Sequence, residues 1–112
     1  MENISLVSWS DRFICDAARA PELTWLTDQV NVHEMAHSYF GDLVVCRDFA
    51  HAWLKESWAT YMETCWLEDA VSKDEQLYDL YCNAEAYFSE ADGSYTRPLM
   101  TRQFTSSWQM YD

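Results

Sequence analysis

Hydrophobic positions along the chain fall into three stretches with helical spacing, preceded by one short stretch with a different rhythm. Residues 4 to 9, ISLVSW, alternate and include β-branched side chains, which predicts a short strand. The segment DAARAPEL around Pro21 reads as a connection, because proline punctuates periodic elements. From Thr24 or Thr27 a first helix is expected to run through His37 and stop near Gly41, since glycine suits helix C-termini.

A second helix is expected from Asp48, as N-cap, to about Glu68. Within it Leu54, Trp58, Tyr61 and Cys65 recur at four, three and four residues and mark a face for the core. A third opens on the capping box Ser72-Lys73-Asp74-Glu75 and carries Leu77, Leu80, Tyr81, Ala84, Tyr87 and Phe88 on one side. It should end at Asp92-Gly93. The remaining residues, SYTRPLMTRQFTSSWQMYD, have no strong period and read as a loop that packs on something. With two Gly, two Pro, no repeat and no Gly/Ser linker, the sequence reads as one continuous, mainly α piece, with a strand remnant at its N-terminus.

Composition adds bounds to this picture. A chain of 112 residues is one domain at most and has a modest core. With 49% apolar and 16% aromatic residues it is globular in composition, not disordered. Its formal charge of −12 argues against nucleic acid or an anionic membrane surface as partner. That charge suits a cationic ligand such as a peptide's N-terminal ammonium, although net charge speaks chiefly to solubility. The cysteines Cys15, Cys46, Cys65 and Cys82 form no C-x-x-C pair and are read as reduced thiols. Neither a leader-like N-terminus nor an apolar run long enough to span a membrane is present in the sequence. The residues name no compartment, and the cytoplasm is the default expectation.

One motif carries chemistry. His33-Glu34-Met35-Ala36-His37 places two histidines one helical turn apart, about 40° from each other around the axis, so both imidazoles can reach one ion. Glu34 flanks that position without being forced to bind, placed to handle a water's proton. Catalytic zinc takes three protein ligands and leaves a position open. Glu56, with eighteen residues between it and His37, is the carboxylate that a second helix can bring back beside the histidines. Glu63 lies two turns beyond Glu56 on the same face, where it either orients a ligand histidine through its second nitrogen or faces solvent. His51 is expected to be a helix-surface or core histidine, not a ligand.

With His33, Glu34, His37 and Glu56 in that pattern, the chain resembles the M1 family of zinc metallopeptidases, the gluzincin aminopeptidases related to aminopeptidase N. HSYFGDLVVCRDF resembles the family's H-x-W-x-G-N-x-V-T run, and WLKESWATYME its W-L-N-E-G-F-A-x-Y-x-E run, a dense match over roughly residues 30 to 68. Met1-Glu2-Asn3 is similar to the end of the family's G-x-M-E-N motif. The resemblance implies one zinc ion per chain on His33, His37 and Glu56, Glu34 as general base and acid, and Glu2 as the group that binds the free α-amino group of a peptide substrate. It also implies the helical part of a thermolysin-like catalytic domain, residues 1–112 forming a single partial domain.

The pattern departs from the family at Lys55, where many members have Asn although some bacterial members resemble this chain in having Lys, at Asp42, which replaces an Asn, and at His51, where an acid is common. None of the three is expected to touch a ligand. The chain opens inside the substrate-binding motif and closes before the region where the family places the tyrosine that stabilises the tetrahedral intermediate, Tyr111 being an outside candidate. It is therefore expected to be a fragment whose apolar faces the rest of a parent enzyme covers, and to be weakly active or inactive alone. The competing readings are a thermolysin-like endopeptidase and a metal-binding fragment without turnover.

Overall fold

A computed structural model describes residues 1–94, 96 and 98–110 of the protein. Its three main helices are α1 (Ala20–Ala36), α2 (Trp53–Trp66) and α3 (Lys73–Gly93). Helix α1 begins earlier than its periodicity predicts. The Asp16 side chain accepts from the backbone nitrogens of Ala18 and Arg19, both at 3.0 Å, and turns the chain into the helix. Pro21 then lies in the first turn, where a missing N–H costs nothing, so the proline starts the helix rather than preceding it.

Helix α1 also ends sooner than Gly41. His37 is its C-cap, and the chain reverses through residues 37–44, with Asp42 N bonded to His37 O at 3.0 Å and Gly41 N to Val44 O at 3.0 Å. Gly41 has φ +137°, a backbone that L side chains rarely adopt. Helix α2 starts later than expected: Asp48 caps not α2 but a short 3-10 turn, Phe49–His51, accepting from Ala50 N at 2.9 Å, and this turn leads into α2 at Trp53. A π-helical turn, Leu67–Val71, extends α2 before Ser72 starts α3 by accepting from Glu75 N at 3.1 Å.

The expected strand over residues 4 to 9 is not formed, and the described residues contain no strand. Residues 1 to 8 instead make a tight loop: Ser8 N donates to Met1 O at 3.1 Å and Asn3 Nδ2 to Ser8 Oγ at 2.9 Å. Alternation alone cannot make a strand, because an isolated one leaves its backbone donors and acceptors without a ladder partner.

The two predicted apolar stripes are not a core within this chain. Trp58 is 46% and Tyr61 51% exposed, and on α3 Leu77, Tyr81, Tyr87 and Phe88 are exposed as well. The face of α2 turned inward carries Ala52, Glu56, Ala59 and Glu63, which lie within about 60° of one another around the helix. Ala52 and Ala59 are buried, and their small side chains let α1 approach closely. The largest fully buried side chain is His37, so the centre of the packing is a titratable group. Helix α3 is pinned by Asp79, which accepts from Thr64 Oγ1 of α2 at 2.8 Å and from Gln29 Nε2 of α1 at 3.4 Å.

Candidate metal centre

The close pairing of α1 with α2 brings His33, His37 and Glu56 together. His33 Nε2 and His37 Nε2 are 3.0 Å apart, and Glu56 Oε2 lies 3.4 Å from each. A tetrahedral zinc ion with bonds of about 2.0–2.1 Å needs its ligand atoms roughly 3.3–3.4 Å from one another. The two sides that meet at Glu56 Oε2 have that spacing, and the side between the two imidazole nitrogens, 3.0 Å, is shorter.

The far side of each ring fixes which nitrogen is free to bind. His37 Nδ1 is 2.8 Å from the Phe40 carbonyl, which can only accept, so Nδ1 carries the hydrogen and donates it. His33 Nδ1 is 2.8 Å from Glu63 Oε1 and donates to that carboxylate in the same way. Neutral rings so arranged present two Nε2 lone pairs to each other at 3.0 Å, which is repulsive unless a cation lies between them. A proton or a metal ion satisfies this. Glu63 thus faces His33 rather than solvent.

Electrostatics match the geometry. Hydrogen bonding to Glu56 and then to Glu63 raises His33 to about 9, against the desolvation that burial brings. Reciprocally, His33 and then Lys55 hold Glu56 at about 2, although burial works the other way. Burial is the largest single influence on the Glu2 carboxyl and would raise it, but the hydrogen bond from Lys55, a backbone hydrogen bond and nearby positive charge together leave Glu2 below the usual range.

Glu2 and Glu34 both lie beside His37, their nearest oxygens and a His37 ring nitrogen within 4.8 Å of one another. Glu34 Oε1 meets the Met1 nitrogen at 2.9 Å, whereas Oε2 is buried without a hydrogen-bond partner among the described residues. An unpartnered buried carboxylate oxygen is costly unless a group that the structure does not hold donates to it. His51 lies in the 3-10 turn ahead of α2. Tyr111 lies outside the described residues.

One expectation is overturned here. Lys55 does touch a predicted ligand: its Nζ is 2.9 Å from Glu56 Oε1, and it also donates to Glu2. The sequence held a signal, since Lys55 adjoins Glu56, but neighbours on a helix point about 100° apart and only the fold brings the long side chain back across.

The Peptidase family M1 domain matches residues 1–111. The chain belongs to the M1 peptidase family. It is 32% identical to aminopeptidase N of Lactobacillus helveticus over 88 residues, which is 77% of this chain and 10% of that protein. It is 38% identical to endoplasmic reticulum aminopeptidase 2 of Homo sapiens over 66 residues, 56% of this chain and 7% of that one. Leucine aminopeptidase 2 of Aspergillus oryzae is 50% identical over 34 residues, covering 30% and 6%. The chain thus spans about a tenth or less of the length of the curated relatives it matches. No solved structure matches it. M1 peptidases generally depend on zinc, and the described helices fit the mainly α part of an M1 domain.

Proposed function

We propose that this chain is the zinc-binding core of an M1 aminopeptidase, with one ion held by His33, His37 and Glu56, and that residues 1–112 are one partial domain of it. The observation that carries this reading is the ligand triangle, 3.0, 3.4 and 3.4 Å on its sides, with both histidines committed through Nδ1 to acceptors behind them. When bound, zinc would acidify a water and polarise the scissile carbonyl.

The chain's own residues supply the rest. Glu34, beside His37 and with Oε2 unpartnered, accepts the proton of the attacking water and returns it to the leaving amine. Glu2 binds the ammonium of a peptide substrate, so that only the first peptide bond reaches the site. Its position near both Glu34 and His37 supports that role. An endopeptidase of thermolysin type would need no such anchor, and the aminopeptidase names of the relatives favour the exopeptidase reading. The apolar surface of α2 and α3 is where the remainder of a parent enzyme would pack.

The test is metal content per chain by elemental analysis, with wild type beside Glu56→Gln, followed by hydrolysis of an amino-terminal peptide substrate by wild type and Glu34→Gln. Near-stoichiometric zinc is expected in wild type and in Glu34→Gln, with little in Glu56→Gln. Absence of zinc from wild type purified with zinc supplied would refute the proposal.

A further inference from the structure

We infer that Lys55 is a positioning residue that joins the proposed amine-binding carboxylate to the proposed metal-binding one, orienting both with a single ammonium. This rests on the reading above, in which Glu56 is a ligand and Glu2 binds the substrate amine.

Lys55 Nζ donates to Glu56 Oε1 at 2.9 Å and to Glu2 Oε1. The Glu56 oxygen it takes is not the one that faces the imidazoles, since Oε2 is the atom 3.4 Å from both Nε2 nitrogens. The terminal torsion of a glutamate is broad and roughly two-fold, so with nothing on Oε1 the two oxygens can exchange places or share the ion. Lys55 removes that freedom and presents one oxygen.

The lysine is itself located by the fold. A Cβ on Gly41 would lie 3.5 Å from Lys55 Cδ and 3.3 Å from His37 Nδ1, so the lysine stem and the ligand ring flank the same bare Cα. The side chains of Lys55 and Glu2 are only 14% and 15% exposed. Their pair is therefore poorly screened by water, unlike an exposed surface ion pair. It also fastens the N-terminal loop to α2, setting the proposed amine anchor at a fixed place beside the metal centre.

Lys55 has a second effect, of opposite sign. Glu2 spends charge on Lys55, so an incoming substrate ammonium meets a carboxylate already partly compensated and a nearby like charge. Loss of the lysine should loosen the metal and tighten the amine together. A lysine that only supported the fold would weaken both.

The experiment compares wild type, Lys55→Met and Lys55→Arg. Zinc affinity is read by competition with a chromophoric chelator, and KM and kcat for an amino-terminal peptide substrate are measured at saturating zinc. In Lys55→Met zinc affinity should fall about tenfold or more, the range for loss of a group that orients a ligand. KM should fall, kcat should fall, and Lys55→Arg should recover most of the zinc affinity. Zinc affinity in Lys55→Met equal to wild type, or a rise in KM alongside weaker zinc, would overturn the inference. If Lys55→Met loses its helical signal in circular dichroism, Lys55→Gln replaces it with the same expectations. Wild type that binds no zinc would instead strike at the proposed function, whereas tight zinc in every variant strikes at Lys55 alone.

Discussion

His33 is the side chain through which stability and the proposed metal binding would be linked. In the metal-free chain its folded pKa of about 9 lies above the ordinary 6.5, so its proton stabilises the fold. That contribution is fully present below about pH 6.5 and is lost as pH rises through 9. Glu56 works in the other direction: held at about 2 against an ordinary 4.5, it contributes above pH 4.5 and loses that contribution as pH falls toward 2. Melting temperature in the presence of a chelator should therefore be highest between about pH 4.5 and 6.5 and decline on both sides. A flat profile from pH 6.5 to 9 would contradict the His33 assignment. Zinc held as proposed would displace the same proton, so apparent zinc affinity should rise through this interval, about tenfold per pH unit, and level off above pH 9. Glu63→Gln, which keeps a hydrogen-bond acceptor but removes the charge behind His33, should weaken zinc about tenfold or more in the chelator competition while leaving the helices intact. Gly41→Ala should weaken it too, because the new methyl crowds the His37 ring in a backbone conformation that already disfavours a side chain.

At the scale of elements, α1 and α2 meet through small and acidic residues instead of through the aromatic stripe. The reason is that Glu56 and Glu63 find their partners on α1, and Ala52 and Ala59 between them allow the approach. Helix α3 is tied to both of the others through hydrogen bonds to Asp79. Asp79→Ala should cost about 1–3 kcal/mol in a denaturant titration, since it strips the partner from the part-buried Thr64 hydroxyl and the Gln29 amide. Ser72→Ala should cost about 1 kcal/mol through loss of the cap. Neither change should alter zinc affinity by more than about twofold, because neither residue touches the triangle, and substitutions at separate sites act nearly independently.

For the whole molecule the dominant fact is how little is buried. Only Ala50, Ala52 and Ala59 are buried apolar residues among those described, while Trp25, Tyr39, Leu43, Val45 and Phe49 are each more than 60% exposed. Exposed apolar surface of this extent favours association, with a partner or with further copies of the chain. The purified 112-residue chain should associate with itself in a concentration-dependent way in size-exclusion chromatography and bind a hydrophobic dye such as ANS. A stable monomer without dye binding would argue that these faces need no cover. All four cysteines are free, so no disulfide offsets the small core.

Local sequence determined the three helices, the cap at Ser72, and the HExxH and eighteen-residue spacing, because each depends on residues a few positions apart or on one recurrent motif, whereas the cap expected for α2 at Asp48 closes a 3-10 turn ahead of it. It misjudged residues 4 to 9 and Pro21, where the outcome depended on whether a ladder partner existed and on which side of a helix start the proline fell. The tertiary structure decided which face of α2 turns inward, that Glu63 stands behind His33, and that Lys55 reaches both Glu2 and Glu56. Those contacts join residues between 30 and 53 positions apart, apart from the Lys55–Glu56 pair itself. Hydrophobic periodicity could not reveal them, because it ranks positions by aversion to water, and this interface is formed by charges that pair with each other.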